Sequence, residues 1–133
     1  MPWPLACAVA VVAAGLLASP VSAQLTLPDD FVDDLMVDGL DQPAGMAFLP
    51  DGRALVVERL TGKIRLVVNG ALAAIDPVIA LTGVNTTGIE RGLLGIAVDP
   101  QWPVRPYIYI HYTSVVGPSV RIQRLTAEGD LAF

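Results

Sequence analysis

Cysteine and histidine are almost missing: the 133 residues hold one of each, Cys7 and His111. Cys7 sits inside an apolar leader. A chain cleaved after that leader has no disulfide, no thiolate nucleophile and no thiolate metal site. A lone histidine also excludes a zinc cluster built on several imidazoles. Basic charge is scarce as well. Eight Lys and Arg stand against thirteen Asp and Glu, a formal charge of −5. No basic face of the kind that nucleic acid or an anionic membrane requires can be assembled from them. There is no phosphate-binding loop and no dinucleotide fingerprint. After the leader, no apolar run approaches the roughly 20 residues of a membrane span.

The leader itself is residues 5–18, apolar apart from Cys7 and Gly15. Ser19-Pro20 breaks it, and Val21-Ser22-Ala23 supplies small residues ahead of Gln24. This is the pattern of a signal peptide over 1–23, and it implies a secreted or periplasmic product. A retained anchor is the competing reading, because Met1-Pro2-Trp3-Pro4 has no basic residue. Cleavage leaves about 110 residues, enough for one small two-layered domain. Residues 24–42 form an acidic arm that carries six of the thirteen acids. Leu27, Phe31, Leu35 and Leu40 are its expected anchors. Phe31 and Leu35 fit one helical turn, though an irregular arm docked on the domain fits them better.

From Pro43 the texture changes to short apolar runs separated by turn residues. Strands are expected at 44–49, 54–58, 64–68 and 78–81. Asp51-Gly52, Thr61-Gly62 and Asn69-Gly70 lie between them, and such dipeptides supply the positive φ that tight hairpins need. Four short strands in about forty residues make an antiparallel meander. After a polar loop at 82–92 the pattern restarts with strands at 93–98, 107–113 and 120–125. The second of these is aromatic and β-branched throughout apart from His111.

The two halves resemble each other. Gly45-Met46-Ala47-Phe48-Leu49-Pro50-Asp51 lies over Gly95-Ile96-Ala97-Val98-Asp99-Pro100-Gln101 at an offset of about 50 residues, and residues 55–57 fall near 107–109 at about 52. A four-stranded unit with this period marks a propeller blade, while a β-sandwich would also show many short strands. The expected class is all-β, a β-propeller whose first two blades are covered by residues 43–133, the second incomplete. Two blades cannot close a propeller, so the chain reads as a fragment of a longer protein. The two meanders should pack face against face, with no helix longer than two turns after Pro43.

The loop before the second unit holds the most informative residues: Asn85, Glu90 and Arg91, then Gly92-Leu93-Leu94-Gly95. In a propeller it leads into an innermost strand, at a mouth of the central channel. Rigid scaffolds display function on such loops. Gly92 and Gly95 let backbone approach a flat ligand or the next blade. The plain alternative is that Glu90 and Arg91 are a solvated pair. Glu58-Arg59 ends a strand, and a clasp between blades accounts for it better than catalysis does. His111 shares a strand face with Tyr107, Tyr109 and Thr113, opposite Ile108, Ile110 and Tyr112. It reads as a core or edge histidine and not as a general base. Asn85-Thr86-Thr87 is a glycosylation sequon, relevant where the producing cell glycosylates exported chains.

Residues 43–53 (PAGMAFLPDGR), Val57-Glu58-Arg59 and Gly62-Lys63-Ile64-Arg65 resemble the first blade of the soluble glucose/sorbosone dehydrogenase family. Residues 90–100 (ERGLLGIAVDP) and 106–113 (PYIYIHYT) resemble the start of its second blade. The resemblance implies a six-bladed propeller that oxidises sugars with pyrroloquinoline quinone and calcium, passing electrons to an external acceptor. It implies one cofactor contact in this sequence, Glu90, where quinone-binding members carry Gln or Glu. The approach to it, Gly88-Ile89-Glu90-Arg91, is less Gly-rich than in many relatives. His111 does not match the family's catalytic histidine; that residue and the calcium ligands are expected beyond Phe133. Two functions therefore stand: an exported quinoprotein sugar dehydrogenase, and a secreted propeller that binds carbohydrate or protein without redox chemistry.

Overall fold

The computed structural model describes residues 26–117, 119–128 and 131. The signal sequence expected over 1–23 lies outside the described residues. The described residues up to Asp33 belong to a unit separate from the one that begins at Asp34. Among them a turn at Asp29 and Asp30 is closed by the Phe31 N–H donating to the Pro28 carbonyl at 3.0 Å. Residues 31–35 are irregular, so the alternative of a helical turn there is not taken up.

From Asp34 onward the regular structure among the described residues is all β. The strands are β1 (Pro43–Phe48), β2 (Ala54–Glu58), β3 (Lys63–Val68), β4 (Ala71–Leu72), β5 (Ile79–Ala80), β6 (Leu93–Val98), β7 (Tyr107–Thr113) and β8 (Val120–Thr126). They form two antiparallel sheets. The first runs β1-β2-β3-β4 with β5 also paired to β3, and the second runs β6-β7-β8. Two antiparallel sheets in this order are consistent with part of a propeller's blade arrangement, and the described residues do not form a closed ring.

The fourth strand of the first sheet differs from expectation. It is split: β4 pairs with Val67 and Val68 just after the Asn69-Gly70 hairpin, and β5 pairs with Lys63 and Ile64 at the other end of β3. The stretch between them turns inward. Asp76 there accepts from the Leu66 N–H at 3.3 Å and an Arg65 side-chain N–H, which interrupts the ladder.

The repeat is sharper in the structure than in the letters. β1 and β6 begin and end 50 residues apart, and each carries an irregularity at the same place, between Pro43 and Gly45 and between Leu93 and Gly95. The next strands are displaced by more than expected. Phe48 pairs with Ala54, whereas Val98 pairs with Ile108, so Leu55 corresponds to Tyr109. The longer turn accounts for the difference; it wraps the buried Trp102, whose N–H donates to the Asp99 carbonyl at 3.0 Å. The discrepancy is an even number of residues, so the inward and outward faces assigned from sequence are unaffected.

The core lies between the sheets. Leu55 and Val57 of β2 with Ile64 and Leu66 of β3 meet Ile108, Ile110 and Tyr112 of β7, and all are buried. Full burial of each such side chain stabilises by about 1.5–3 kcal/mol. The first strands of the two sheets touch at glycine: a Cβ on Gly45 would stand 3.2 Å from the Gly95 Cα. On the far side of the first sheet Ala54, Val56 and Val67 are covered in part by Val37, Leu40 and Leu72. Leu40 is therefore an anchor as expected, Val37 is one the sequence did not single out, and Leu35 is exposed. Met46, Phe48, Val120 and Ile122 also remain exposed on the outward faces of the pair.

Candidate functional site

The strand β2 reads Ala-Leu-Val-Val-Glu and is buried along its whole length, Glu58 included. A buried carboxylate must be paired and hydrogen-bonded to be tolerated. Glu58 is. Oε1 accepts from the Asp41 N–H at 3.0 Å and from an Arg65 guanidinium nitrogen, and Oε2 accepts from the Thr61 hydroxyl at 2.6 Å. Arg65 in turn pairs with Asp76. Burial alone would push the Glu58 carboxyl up; the Asp41 N–H, the Thr61 hydroxyl and Arg65 outweigh it and hold the group below its ordinary range. Burial likewise disfavours the charged form of Arg65, and Asp76 and Glu58 overcome it, so its guanidinium is held still more firmly protonated. All these partners belong to the first sheet and its arm. The clasp expected at Glu58 is therefore within one blade.

Arg59, the next residue, is the one that crosses. Its side chain leaves the first sheet and reaches the loop before β6. Nη1 donates to the Ile89 carbonyl and, at 3.5 Å, to the Arg91 carbonyl. Nη2 donates to Gln42 Oε1 at 2.8 Å. The Arg59 carbonyl accepts the Leu93 N–H at 3.0 Å, so backbone and side chain both tie the sheets together. Gly92 makes this approach possible. Its φ is 140°, and a Cβ there would lie 2.3 Å from the Arg59 carbonyl oxygen. Only glycine fits without moving the loop. Of the two uses considered for Gly92 and Gly95, close approach to the neighbouring sheet is the one the structure displays.

The loop is braced internally too. Asn85 Oδ1 accepts from the Thr87 N–H at 3.0 Å and the Thr87 hydroxyl at 2.7 Å, and Arg91 donates to that hydroxyl oxygen at 3.2 Å. Arg91 thus points to Thr87 and not to Glu90, and the solvated Glu90–Arg91 pair is not formed. Glu90 is exposed, and among the described residues its carboxylate has no hydrogen-bond or ion-pair partner. With Thr87, Gly88, Ile89 and Arg91 it lines a shallow open depression. Ile89 is 84% exposed.

His111 lies on the exposed face of β7 while Ile108, Ile110 and Tyr112 are buried, the alternation expected from sequence. It stacks over Gly95, where an added Cβ would sit 3.7 Å from its own. Among the described residues no three His, Cys, Asp or Glu side chains are grouped to hold a metal ion. No helix among them is long and apolar enough to cross a membrane.

The sequence matches the Glucose / Sorbosone dehydrogenase family over residues 40–132, a span that includes both sheets and the Glu90 loop. The chain belongs to this family. A curated relative, an uncharacterized protein of Synechocystis, is 37% identical over 84 residues, covering 59% of this chain and 20% of its own. Quinoprotein glucose dehydrogenase B of Acinetobacter calcoaceticus is 34% identical over 86 residues, 64% of this chain and 18% of its own. The PQQ-bound aldose sugar dehydrogenase of Streptomyces coelicolor superimposes with a TM-score of 0.63 at 32% identity, over 71% of this chain and 27% of that one. The chain thus spans about a fifth of the length of its curated relatives.

Sequence reasoning did not find Arg65, Thr61 or the Asp41 N–H as partners of Glu58, nor Asp76 as the second partner of Arg65. A signal was present: one acid, Glu58, and two bases, Lys63 and Arg65, stand in two otherwise apolar strands joined by a tight turn. The pairing of Glu58 with Arg65 follows only once the register sets Val56 opposite Arg65.

Proposed function

We propose that this chain is the opening part of an exported sugar dehydrogenase that uses pyrroloquinoline quinone. In this reading residues 1–23 are a cleaved signal, 24–42 an acidic arm, and 43–133 the first two blades of a six-bladed propeller. The product acts in the periplasm or outside the cell. Family membership supports it, as does likeness to a quinoprotein glucose dehydrogenase and to a PQQ-bound aldose sugar dehydrogenase. Substrate is a sugar oxidised at its anomeric carbon, and the electrons leave to an external acceptor.

The observation that carries the reading in this chain is the state of Glu90. Its loop is tied down by Arg59, the side chains of Asn85, Thr87 and Arg91 in it are engaged with one another, and among the described residues its own carboxylate is not. A fixed acceptor of this kind suits a hydrogen-bonding edge of a ligand. The residues here fit one contact to the quinone. They do not fit a calcium site, whose oxygen ligands in this reading come from outside the described residues. Bound quinone supplies the two-electron acceptor chemistry, and this chain's contribution is to hold and orient it. Glu90 does this as a hydrogen-bond acceptor.

Titration of the full-length apoprotein with the quinone, calcium present, tests the reading. Wild type should bind saturably. Glu90→Ala should bind more weakly by about 1–3 kcal/mol, with Glu90→Gln between the two. Thermal stability should not change, because the side chain is exposed. Absence of saturable binding in wild type would sink the enzyme reading and leave a propeller that binds carbohydrate or protein. Equal binding by wild type and Glu90→Ala would sink only the assignment of Glu90.

A further inference from the structure

We propose that Arg59 is a positioning residue that sets how Glu90 is presented, acting from the first sheet on a loop of the second. The inference rests on the reading of Glu90 as a quinone contact. Arg59 donates from a single nitrogen to the carbonyls of Ile89 and Arg91, the residues on either side of Glu90. Two anchors flanking one residue restrict the φ and ψ of that residue more than any single contact to it would. The anchors carry full positive charge, and bonds from a guanidinium to a carbonyl are stronger than neutral ones. Among the described residues the Arg59 guanidinium meets no carboxylate, so its charge is directed wholly to these carbonyls and to Gln42.

Arg59 is itself held in place from behind. Its N–H donates to the Gln42 carbonyl at 3.0 Å while Gln42 Oε1 takes the other guanidinium nitrogen. Glu58, one residue before it, is locked by Asp41, Thr61 and Arg65. The strand end from which Arg59 departs therefore has little freedom. On the loop side, Gly92 removes the one Cβ that would push the carbonyls away from Arg59. Ile89 is thirty positions after Arg59 in the sequence, and the packing of the two sheets closes that distance. A bracing arginine with no carboxylate partner, aimed at the backbone around an unpaired exposed acid, is more than a sheet-to-sheet tie requires. The Arg59 carbonyl already supplies that tie through Leu93.

The test compares wild type, Arg59→Met, Arg59→Lys, Glu90→Ala and the Arg59→Met/Glu90→Ala double variant of the full-length protein. Hydrogen exchange of the apoprotein is read at residues 88–93 and at β2 and β7, and quinone affinity is titrated with calcium present. Arg59→Met should speed exchange in the loop and leave both strands unchanged. Its quinone affinity should fall on the order of tenfold, about what one lost charge-assisted hydrogen bond implies. That loss should vanish in the Glu90→Ala background, since the residue being positioned is gone. Arg59→Lys reaches one carbonyl and should fall between, and it carries the test if Arg59→Met does not fold. Unchanged loop exchange would overturn the inference. So would faster exchange with undiminished affinity while Glu90→Ala binds weakly. If Glu90→Ala binds like wild type, the Glu90 reading fails and the positioning role fails with it; the loop exchange then shows separately whether Arg59 braces the backbone.

Discussion

The two sheets solve one problem in different chemistry. With the register in hand, Glu58 of β2 corresponds to Tyr112 of β7, and Arg65 of β3 to Gln123 of β8. In the first sheet this diagonal pair is ionic, with Glu58 buried and Arg65 partly so, and is extended by Asp76, Thr61 and the Asp41 N–H. In the second it is neutral, the Tyr112 hydroxyl donating to Gln123 Oε1 at 3.0 Å. Surroundings explain the choice. Tyr112 packs against the apolar face of the first sheet, where an ion would lose its solvation with few polar partners to replace it. Glu58 looks the other way, toward an arm that brings a backbone N–H, and toward Asp76 on the inturned stretch between β4 and β5. Equivalent positions in a repeat need the same geometry, but not the same charge.

The residues before each sheet repeat the comparison. Gln42 and Gly92 are 50 apart, and both have positive φ, 48° and 140°. Each offers its carbonyl to the end of its own second strand: Arg59 N–H donates to Gln42 at 3.0 Å, and Thr113 N–H to Gly92 at 2.9 Å. A glutamine is tolerated where the φ lies in the left-handed well; glycine is needed where the neighbouring sheet presses on the loop.

Removing half of the ionic pair is the strongest way to break this contrast. Glu58→Ala leaves the partly buried Arg65 with Asp76 alone and strands the Thr61 hydroxyl and Asp41 N–H, and should cost about 3 kcal/mol in urea unfolding. Hydrogen exchange should show the loss first in β2 and β3, before β7 and β8. Equal loosening of both sheets would mean that they unfold as one unit. Next is Gly92→Ala, expected to cost about 1–3 kcal/mol from backbone strain alone, with the sheet junction at Arg59 weakened. Gln42→Ala, at the equivalent place, should cost less, because it adds no Cβ.

Acid should distinguish the sheets as well. The folded Glu58 carboxyl is held below its ordinary value of 4.5. Its contribution is complete above that value and is lost as pH falls through the folded one. The acid limb of the stability curve should therefore flatten in Glu58→Gln, while Tyr112→Phe should leave its slope unchanged. The smallest effect expected is that of Tyr112→Phe at neutral pH, about 1 kcal/mol for one neutral hydrogen bond. A cost as large as that of Glu58→Ala would contradict the idea that the neutral pair is the less demanding solution.

Much of this architecture was legible in advance because it depends on local chemistry. Tyr107–Thr113 was readable as a strand from its β-branched and aromatic content, Leu93–Val98 from its apolar run before the Asp99-Pro100 turn, and the hairpins from Asp51-Gly52 and Asn69-Gly70. His111 fell on the expected face because side chains in a strand alternate with period two. The split of the fourth strand was not legible, since nothing in residues 71–81 announces that Asp76 will turn inward to meet Arg65. Of the Glu90 loop, the sequence offered the position of the acid, but not that Arg91 would turn away to Thr87.

Apart from the split fourth strand, the order of strands, the turns and the two faces of each sheet follow from the sequence by itself, because backbone conformation and burial periodicity act over a few residues. Only the tertiary structure decided which charges meet. Glu58 finds Arg65 through the register of β2 on β3. Arg59 finds the Ile89 carbonyl only because one sheet lies on the other, with Gly45 against Gly95 and Gly92 against the Arg59 backbone. A hydrogen bond is made or lost over less than an ångström, and no spacing along the chain specifies positions across two packed sheets to that tolerance.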